Sequence, residues 1–353
     1  MSNHVRRTAF LFLSGAALAA VAGDSLSTNY ARATDVRIEL NSNFALETTA
    51  MEMSVDGEVQ EGRGGLPTTT ETRHAVLLDR HLEQADGKPT KVRRKFETLK
   101  GKGETTMGDN TREFETDSEL EGLVLELTSK DGEVAVELVE GSAPSEATAL
   151  ENHRLELALD AFLPASSDAG KAWDLDKSAV LRGLSLELAS AYFPRPAPPE
   201  GAGGPGGGGG DRPRGGGRGG RGMSLLAQAD WTGAAKWVDD AEHEGESCAV
   251  IELELSAKGE LEERGGFGGR RGDAFNLYAP LEAAATTYEI SLEGRVLFSK
   301  SKQLPVLLEL KGSMNMEANM ERESERGLFK MHSSQEGELE FNVKVSEVAR
   351  EGA

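Results

Sequence analysis

The sequence predicts an α+β protein in which curved antiparallel sheets dominate and two helices in the first half pack on one face. Two observations support this class. Apolar and charged residues alternate along most of the 353-residue chain, which is typical of strands with one buried and one solvated face. In the first half, two stretches instead place apolar residues at helical spacing.

The alternation begins at Val36 and changes phase once. Even-numbered positions from Val36 to Leu46 are mostly apolar, whereas odd-numbered positions are apolar from Met51 to Val55. Since side chains alternate between the two faces of a strand, such a switch requires one unpaired residue. We therefore predict a bulge or bend near Thr48-Thr49.

The clearest local element is a hairpin around Asp131-Gly132. Leucines at positions 123, 125 and 127 alternate with polar residues before this pair, and Val134, Val136 and Leu138 alternate after it. An Asp-Gly pair between two alternating runs is a strong signal of a tight hairpin turn.

The first predicted helix spans 145–163 and ends before Pro164, which cannot continue it. Its apolar residues are Leu150, Leu155, Leu159 and Phe162. The second predicted helix begins after Asp176, a residue type favoured as an N-cap. Its apolar stripe consists of Val180, Leu181, Leu184 and Leu188.

Composition divides the chain into four parts. We predict a signal peptide at 1–22, an N-terminal α+β half at 35–192, a disordered Pro/Gly/Arg-rich linker or loop at 193–222, and a β-rich half at 223–348. The linker is too poor in apolar residues to offset the entropy of ordering. Alternation resumes after it, and whether the two halves are duplicates is left open by patterns this generic.

The N-terminus has the features of an export signal. Arg6 and Arg7 precede an apolar run from Ala9 to Val21, and small residues lead to predicted cleavage after Ala22. The run is shorter than the roughly 20 residues a membrane helix needs. We expect an exported protein of the periplasm, cell envelope or exterior that is not an integral membrane protein, and the general secretory and twin-arginine routes both stay open.

The formal net charge of −21 argues against partners that are themselves polyanions. Such an acidic chain repels nucleic acid and anionic membrane surfaces. Arg214 and Arg218 stand in Arg-Gly-Gly boxes of the kind that bind RNA, but no aromatic residue is interleaved with them. The segment is therefore interpreted as a linker, or as a contact to an acidic face or an envelope polymer.

No pattern in the sequence predicts catalysis, a cofactor or a metal. Cys248 is the single cysteine and lies in a strand-like run, which favours a small buried residue. His74 and His81 are seven residues apart on one strand, so they face opposite sides and cannot share a metal. The carboxylates alternate with apolar residues, which places them by default on the solvated face. We therefore predict no catalytic, cofactor-binding or metal-binding residues. The sequence does not identify the ligand-binding residues.

Short motifs in the chain resemble a group of exported bacterial proteins. These are Leu163-Pro164, Gly170-x-x-Trp173 and the run Gly245–Ile251. The overall plan is similar to the lipoprotein-carrier class, in which an open half-barrel sheet wraps over helices and its concave apolar face holds acyl chains. The resemblance covers 35–192 and 223–348, and the chain departs from it in its acidity, its Arg-Gly insert and its few aromatic residues.

These observations lead to one leading hypothesis and two alternatives. We expect a non-enzymatic protein whose partner is an apolar small ligand on a concave sheet. Five large aromatic residues either pack in the core, as such residues usually do, or line the ligand-binding concavity: Trp173, Trp231, Trp237, Phe44 and Phe298. The first alternative is a structural or interaction module of the envelope that uses the basic Gly/Arg segment. The second is an enzyme of unrecognised type.

Overall fold

Long alternating stretches form long strands in this protein. A computed structural model describes residues 26–31, 35–60, 65–130, 132–164, 172–194, 221–262, 283–324 and 327–348. Within these ranges the chain forms one antiparallel sheet of 13 strands. The strands are β1 (Asp35–Val55), β2 (Glu58–Gln60), β3 (Pro67–Ala85), β4 (Lys88–Met107), β5 (Asn110–Asp117), β6 (Val124–Lys130), β7 (Glu133–Glu140), β8 (Ala172–Leu175), β9 (Trp231–His243), β10 (Glu246–Glu262), β11 (Ala283–Ser299), β12 (Leu304–Ser324) and β13 (Gly327–Glu347).

The first and last strands of this series are neighbours at the middle of the sheet. The order is β7-β6-β4-β3-β1-β13-β12-β11-β10-β9-β8, with β2 paired to β1 and β5 paired to β4. We call the end that holds Asp35, Ala85 and Glu347 the near end, and the end that holds Val55 and Gly327 the far end. Strands from both predicted halves therefore contribute to a single sheet through the β1–β13 pairing.

The predicted α+β class, with several sheets and two helices, is wrong. The molecule is dominated by one sheet, and its α-helices are short: α1 (Lys177–Gly183), α2 (Ala189–Tyr192) and α3 (Arg221–Gln228). The alternation was correctly interpreted strand by strand. The alternation does not reveal which strands pair when they are far apart in the sequence. It determines which face of the sheet a side chain occupies, but not which strand lies beside it.

The predicted helix over 145–163 is also wrong. That stretch contains only 3-10 helices at Ala147–Leu150 and Ala158–Phe162, joined by irregular chain in which Asn152 has a left-handed φ of 62°. The physical reason lies in Leu157, which together with Leu155 and Leu159 is buried. Three buried residues at a spacing of two are the pattern of extended chain, which competes with the helical spacing.

The second predicted helix is confirmed at its start and shorter at its end. The Asp176 carboxylate accepts a hydrogen bond from the Ala179 amide at 2.8 Å, as an N-cap does. The helix ends at Gly183, and Ser185 then takes a left-handed conformation with φ of 54°. The chain continues as a 3-10 turn at Leu186–Leu188 and as α2. Helix α3, at the boundary of the predicted linker, was not predicted.

Two glycines sit where neighbouring strands leave no room for a Cβ atom. A Cβ atom at Gly294 would collide with the Glu309 carbonyl, and one at Gly312 would collide with the Ser291 carbonyl. The two glycines lie on adjacent strands, because Gly294 pairs with Leu310, two residues before Gly312. Glycine at such positions permits a close approach that any side chain would prevent.

The core lies in two clusters on the face of the sheet that packs against the short helices, which we call the concave face. One cluster joins β9–β13 to α1 and α3, and the other joins β3, β4 and β6 to the segment around α2. Ile38 and Leu40 of β1 are only half-buried and pack against both clusters. The seam between the clusters therefore runs along the central strands.

Candidate ligand-binding cavity

A cavity of about 940 Å³ occupies this seam at the near end of the sheet. Its floor consists of apolar side chains from the three central strands, namely Ile38, Leu40, Ala75, Leu77 and Val343. Because concave-face residues recur every second position, three neighbouring strands supply a continuous apolar surface. The cavity volume lies within the range of small-molecule sites in proteins.

The roof of the cavity is irregular chain. The 3-10 segment contributes Leu157, Ala158, Ala161 and Leu163, and the α1–α2 region contributes Leu181, Leu188 and Tyr192. Charged side chains also line the cavity, including Lys88, Arg154, Arg182, Glu156 and Glu187. An apolar floor with polar groups around it suits a ligand that is mainly apolar and carries a polar end.

A short N-terminal strap closes one side of the cavity. We define the strap as residues 26–31, of which Leu26–Tyr30 line the cavity. Leu26 and Tyr30 are buried, and the Asn29 amide donates to the Gln303 carbonyl at 2.9 Å. The strap thus bridges the roof and the turn before β12.

The strap is fixed to the roof through one carboxylate. The hydroxyls of Thr28, at 2.5 Å, and Tyr30 both donate to Asp160, and Tyr30 Oη accepts the Leu157 amide hydrogen at 2.7 Å. Burial raises the pKa of Asp160 to about 6, although these hydroxyls oppose the shift. Burial, followed by the charge on Asp160, also raises the pKa of Tyr30 well above its ordinary value.

A buried ion pair lies beside the cavity floor. Arg94 donates from Nε and Nη2 to the two carboxylate oxygens of Asp79 at 2.7 Å and 2.6 Å, and Nη2 also donates to the Arg154 carbonyl at 3.2 Å. Burial disfavours the guanidinium charge, but the attraction of Asp79 outweighs burial and raises the pKa of Arg94. The bidentate pair joins the neighbouring strands β3 and β4. Only the bond from Arg94 to the Arg154 carbonyl links this pair to the roof.

His153 lies next to this ion pair and is uncharged near neutral pH. Its ring is tilted against Phe96 with 5.8 Å between centroids, and Nε2 lies 3.2 Å from the Ala149 carbonyl. Burial, assisted by the nearby Arg94 charge, lowers the pKa of His153 to about 4. The ring therefore acts as a packing group of the second core cluster.

The aromatic residues weighed as possible cavity lining belong to the core. None of the five lines the cavity among the described residues, and Trp231, Phe44 and Phe298 are buried in the first core cluster. Trp231 donates its indole N–H to the Leu226 carbonyl at 2.7 Å, which fixes the sheet to α3. Packing area, and not ligand contact, explains these rings.

Cys248 is confirmed as a small buried residue. It is free and packs with Leu297, Val306 and Leu307 on the face opposite the main core. Burial raises the pKa of its thiol, which disfavours the reactive thiolate.

The two histidines of β3 face opposite sides, as their spacing predicts. His74 Nδ1 contacts the Asn41 amide oxygen at 2.8 Å, whereas the His81 ring lies edge-on to Tyr30 at the cavity side. In the described part of the chain, no group of three His, Cys, Asp or Glu side chains is arranged to hold a metal ion.

Other predictions fall on residues that the structure does not describe. Ala22 and nearly all of 193–222 lie outside the described ranges. The export signal and the role of the basic segment therefore stay predictions. Within the described ranges, no helix is both long enough and apolar enough to cross a bilayer.

Comparisons with known proteins give a distant structural likeness and no family. No protein-family model matches the chain, and no curated protein is detectably similar to it. A solved structure of lipovitellin, described as "Lipid-protein interactions in lipovitellin", aligns with 91% of this chain at 5% identity and a TM-score of 0.32. The alignment spans about a quarter of that protein, 26% of its length.

Sequence reasoning missed the polar part of the cavity. Tyr30 and Thr28 lie before the first strand, and Asp160 lies in a stretch assigned to a helix. One signal was present: Leu26 and Tyr30 are apolar or aromatic residues in a segment otherwise assigned to no element.

Proposed function

We propose that this protein binds an apolar or amphipathic small molecule in the near-end cavity, without turning it over. The observation that carries the proposal is the apolar floor of Ile38, Leu40, Ala75, Leu77 and Val343 within a cavity of about 940 Å³. Ile38 and Leu40 remain half-buried although each is flanked by fully buried neighbours such as Val36 and Val343. Occupancy by an apolar ligand removes the remaining apolar surface from water.

The polar lining supports an amphipathic ligand over a pure hydrocarbon. Lys88 and Arg182 line the cavity, and in the described residues neither forms an ion pair with a carboxylate. Arg182 Nε donates to the Ser178 carbonyl at 3.3 Å. The apolar part of a ligand then occupies the floor while its polar end remains beside these side chains. We further propose that the protein performs this binding outside the cytoplasm, in keeping with the export signal expected at 1–22.

Filling the floor tests the proposal. Ala75→Phe adds a ring at a floor position, and we expect binding of the neutral fluorescent probe N-phenylnaphthylamine to fall by at least about tenfold, which corresponds to about 1.4 kcal/mol. Ala161→Phe fills the same space from the roof and provides a second, independent variant. Probe titration of the full chain, followed by displacement with oleate, measures the effect.

Ala135→Phe is the matched control, because Ala135 is an exposed residue of β7, a strand that supplies none of the described residues lining the cavity. We expect its probe affinity to equal that of the wild type. Equal affinity in all four proteins, each with an unchanged unfolding midpoint, contradicts the proposal. Native mass spectrometry of the protein purified from its own host then identifies the class of the bound molecule.

A further inference from the structure

The methionines of this chain are concentrated on one surface. The sequence has nine, and six of them lie on three adjacent strands, at positions 51, 53, 314, 316, 320 and 331. All six share the concave face. On β12 and β13 the methionines are in register with Gly337 and Leu339 at intervals of two residues, and on β1 the bulge after Leu46 brings Met51 and Met53 to the same face. Near-end positions of the same face carry leucine, valine and phenylalanine instead.

Three of these methionines form a row across the far end. Met53 pairs directly with Met331, and Met331 pairs directly with Met320. Directly opposed residues of antiparallel strands have Cβ atoms about 4.5–5.5 Å apart. Met51 lies diagonally beside Met331, since it pairs with Ser333 on the same face. We call Met53, Met320 and Met331 the methionine row.

The bulge in β1 aligns the row. The register shifts between Thr48 and Ala50, so that Thr49 has no partner in β13. As a result, odd-numbered residues of β1 take over the concave face beyond this point, which places Met51 and Met53 beside Met331. A fully paired β1 would turn Glu52 and Ser54 toward that face instead.

The row is accessible from solvent. Met53, Met320 and Met331 are half-buried and Met51 is 38% exposed, whereas Met314 at the edge of the core is fully buried. Leucine fills a core equally well and has better defined rotamers. What methionine adds is a soft, polarisable sulfur on a flexible side chain with three rotatable bonds.

We propose that the methionine row binds one soft monovalent cation, Cu(I) or Ag(I), through its three thioether sulfurs. Thioethers prefer such ions over Zn(II), Mg(II) or Ca(II). The three ligands are neutral, so they do not offset the charge of a divalent ion, and no proton is released on binding. Met51 lies within diagonal reach as a fourth sulfur.

Silver titration tests the site with a readout that only methionines give. The background protein is the full chain with Cys248→Ser, which removes its one thiol. Its methionines are labelled with ¹³C at the methyl group. We expect the methyl signals of Met53, Met320 and Met331 to shift with one Ag(I) per chain, while those of Met107 and Met314 stay in place. Cu(I) is then measured by competition with a chromophoric chelator.

Leucine replacements give the matched comparison. Met53→Leu, Met320→Leu and Met331→Leu together keep the apolar volume, and we expect affinity for Ag(I) to fall by at least about a hundredfold. Met107→Leu with Met314→Leu changes two methionines outside the row and is expected to bind as the background does. Undiminished binding in the triple variant, or the absence of methyl shifts in the background protein, overturns the proposal.

Discussion

The near and far ends of this sheet are built from the same strands and have different chemistry. At the near end, β1, β3 and β13 meet a roof of short helices, a buried ion pair and a strap that enclose a cavity. At the far end, β1, β12 and β13 carry half-buried methionines on the same concave face. Alternation therefore sets the face of a residue, while what packs on that face sets its role.

The largest difference between the ends should be in stability. Asp79→Asn leaves the Arg94 guanidinium buried without its partner at the near end, where the two side chains are 5% and 0% exposed. We expect the free energy of unfolding to fall by about 3–5 kcal/mol, the usual cost of breaking a buried pair. Urea unfolding monitored by Trp fluorescence measures it.

Glu97→Gln provides the control for that experiment. It breaks the Arg37–Glu97 pair on the outer face, where the side chains are 41% and 32% exposed. Exposed pairs contribute about 0–1 kcal/mol. Equal losses from the two variants contradict the view that burial makes the near-end pair more important for stability than the exposed pair.

The close backbone approach at Gly312 should be the next most sensitive feature. Gly312→Ala places a Cβ against the Ser291 carbonyl, so we expect a loss of about 1–3 kcal/mol from overpacking and strand displacement. Ser313→Ala, on the opposite face of the same strand, is expected to change stability by less than about 0.5 kcal/mol. Thermal unfolding of both variants checks the difference, and a neutral Gly312→Ala would show that the sheet adjusts freely there.

The smallest effect should be the pH response of the strap. Because the pKa of Asp160 is raised to about 6 in the folded protein, the folded state binds a proton that the unfolded state releases near pH 4. Stability therefore falls as pH rises from about 4 to 6, and the ionised carboxylate costs at most about 3 kcal/mol above that window. Glu156 and Lys88 also face Asp160, with opposite effects on its pKa.

Asp160→Asn should remove this response. We expect the difference in stability between wild type and variant to change with pH between about 4 and 6 and to be constant above about 7. Urea unfolding across this range measures the difference. A difference that is the same at every pH would show that Asp160 ionises in the folded protein as readily as in the unfolded chain.

The sequence allowed prediction of strands better than of their assembly. The phase change between Leu46 and Met51 correctly predicted the bulge at Thr48-Thr49, because a strand has only two faces and parity can be counted. The hairpin around residue 132 was confirmed in the pairing of Lys130 with Glu133, and Gly132 has the positive φ that such a turn requires. Both are local features with a local physical cause.

The parts that could not be predicted depend on distant contacts. Pairing between Ile38 and Val345 leaves no trace in either segment alone, since every alternating strand offers a similar edge. Asp160 is unremarkable among 60 acidic residues until Thr28 and Tyr30 are placed against it. The sequence predicts that the residues of the cavity floor are apolar. It does not predict that a cavity lies against them.

The central pairing also has a consequence for the order of folding. β1 and β13 are joined along most of their length, and the Val348 amide donates to the Asp35 carbonyl at 3.0 Å. Until β13 has been synthesised, β1 can pair on one side only, and its other edge is open to aggregation. Closing a contact of such long range is slow. During synthesis, the centre of the sheet therefore stays incomplete until β13 is available. We expect the chain to be most prone to aggregation in the interval before β1 and β13 pair.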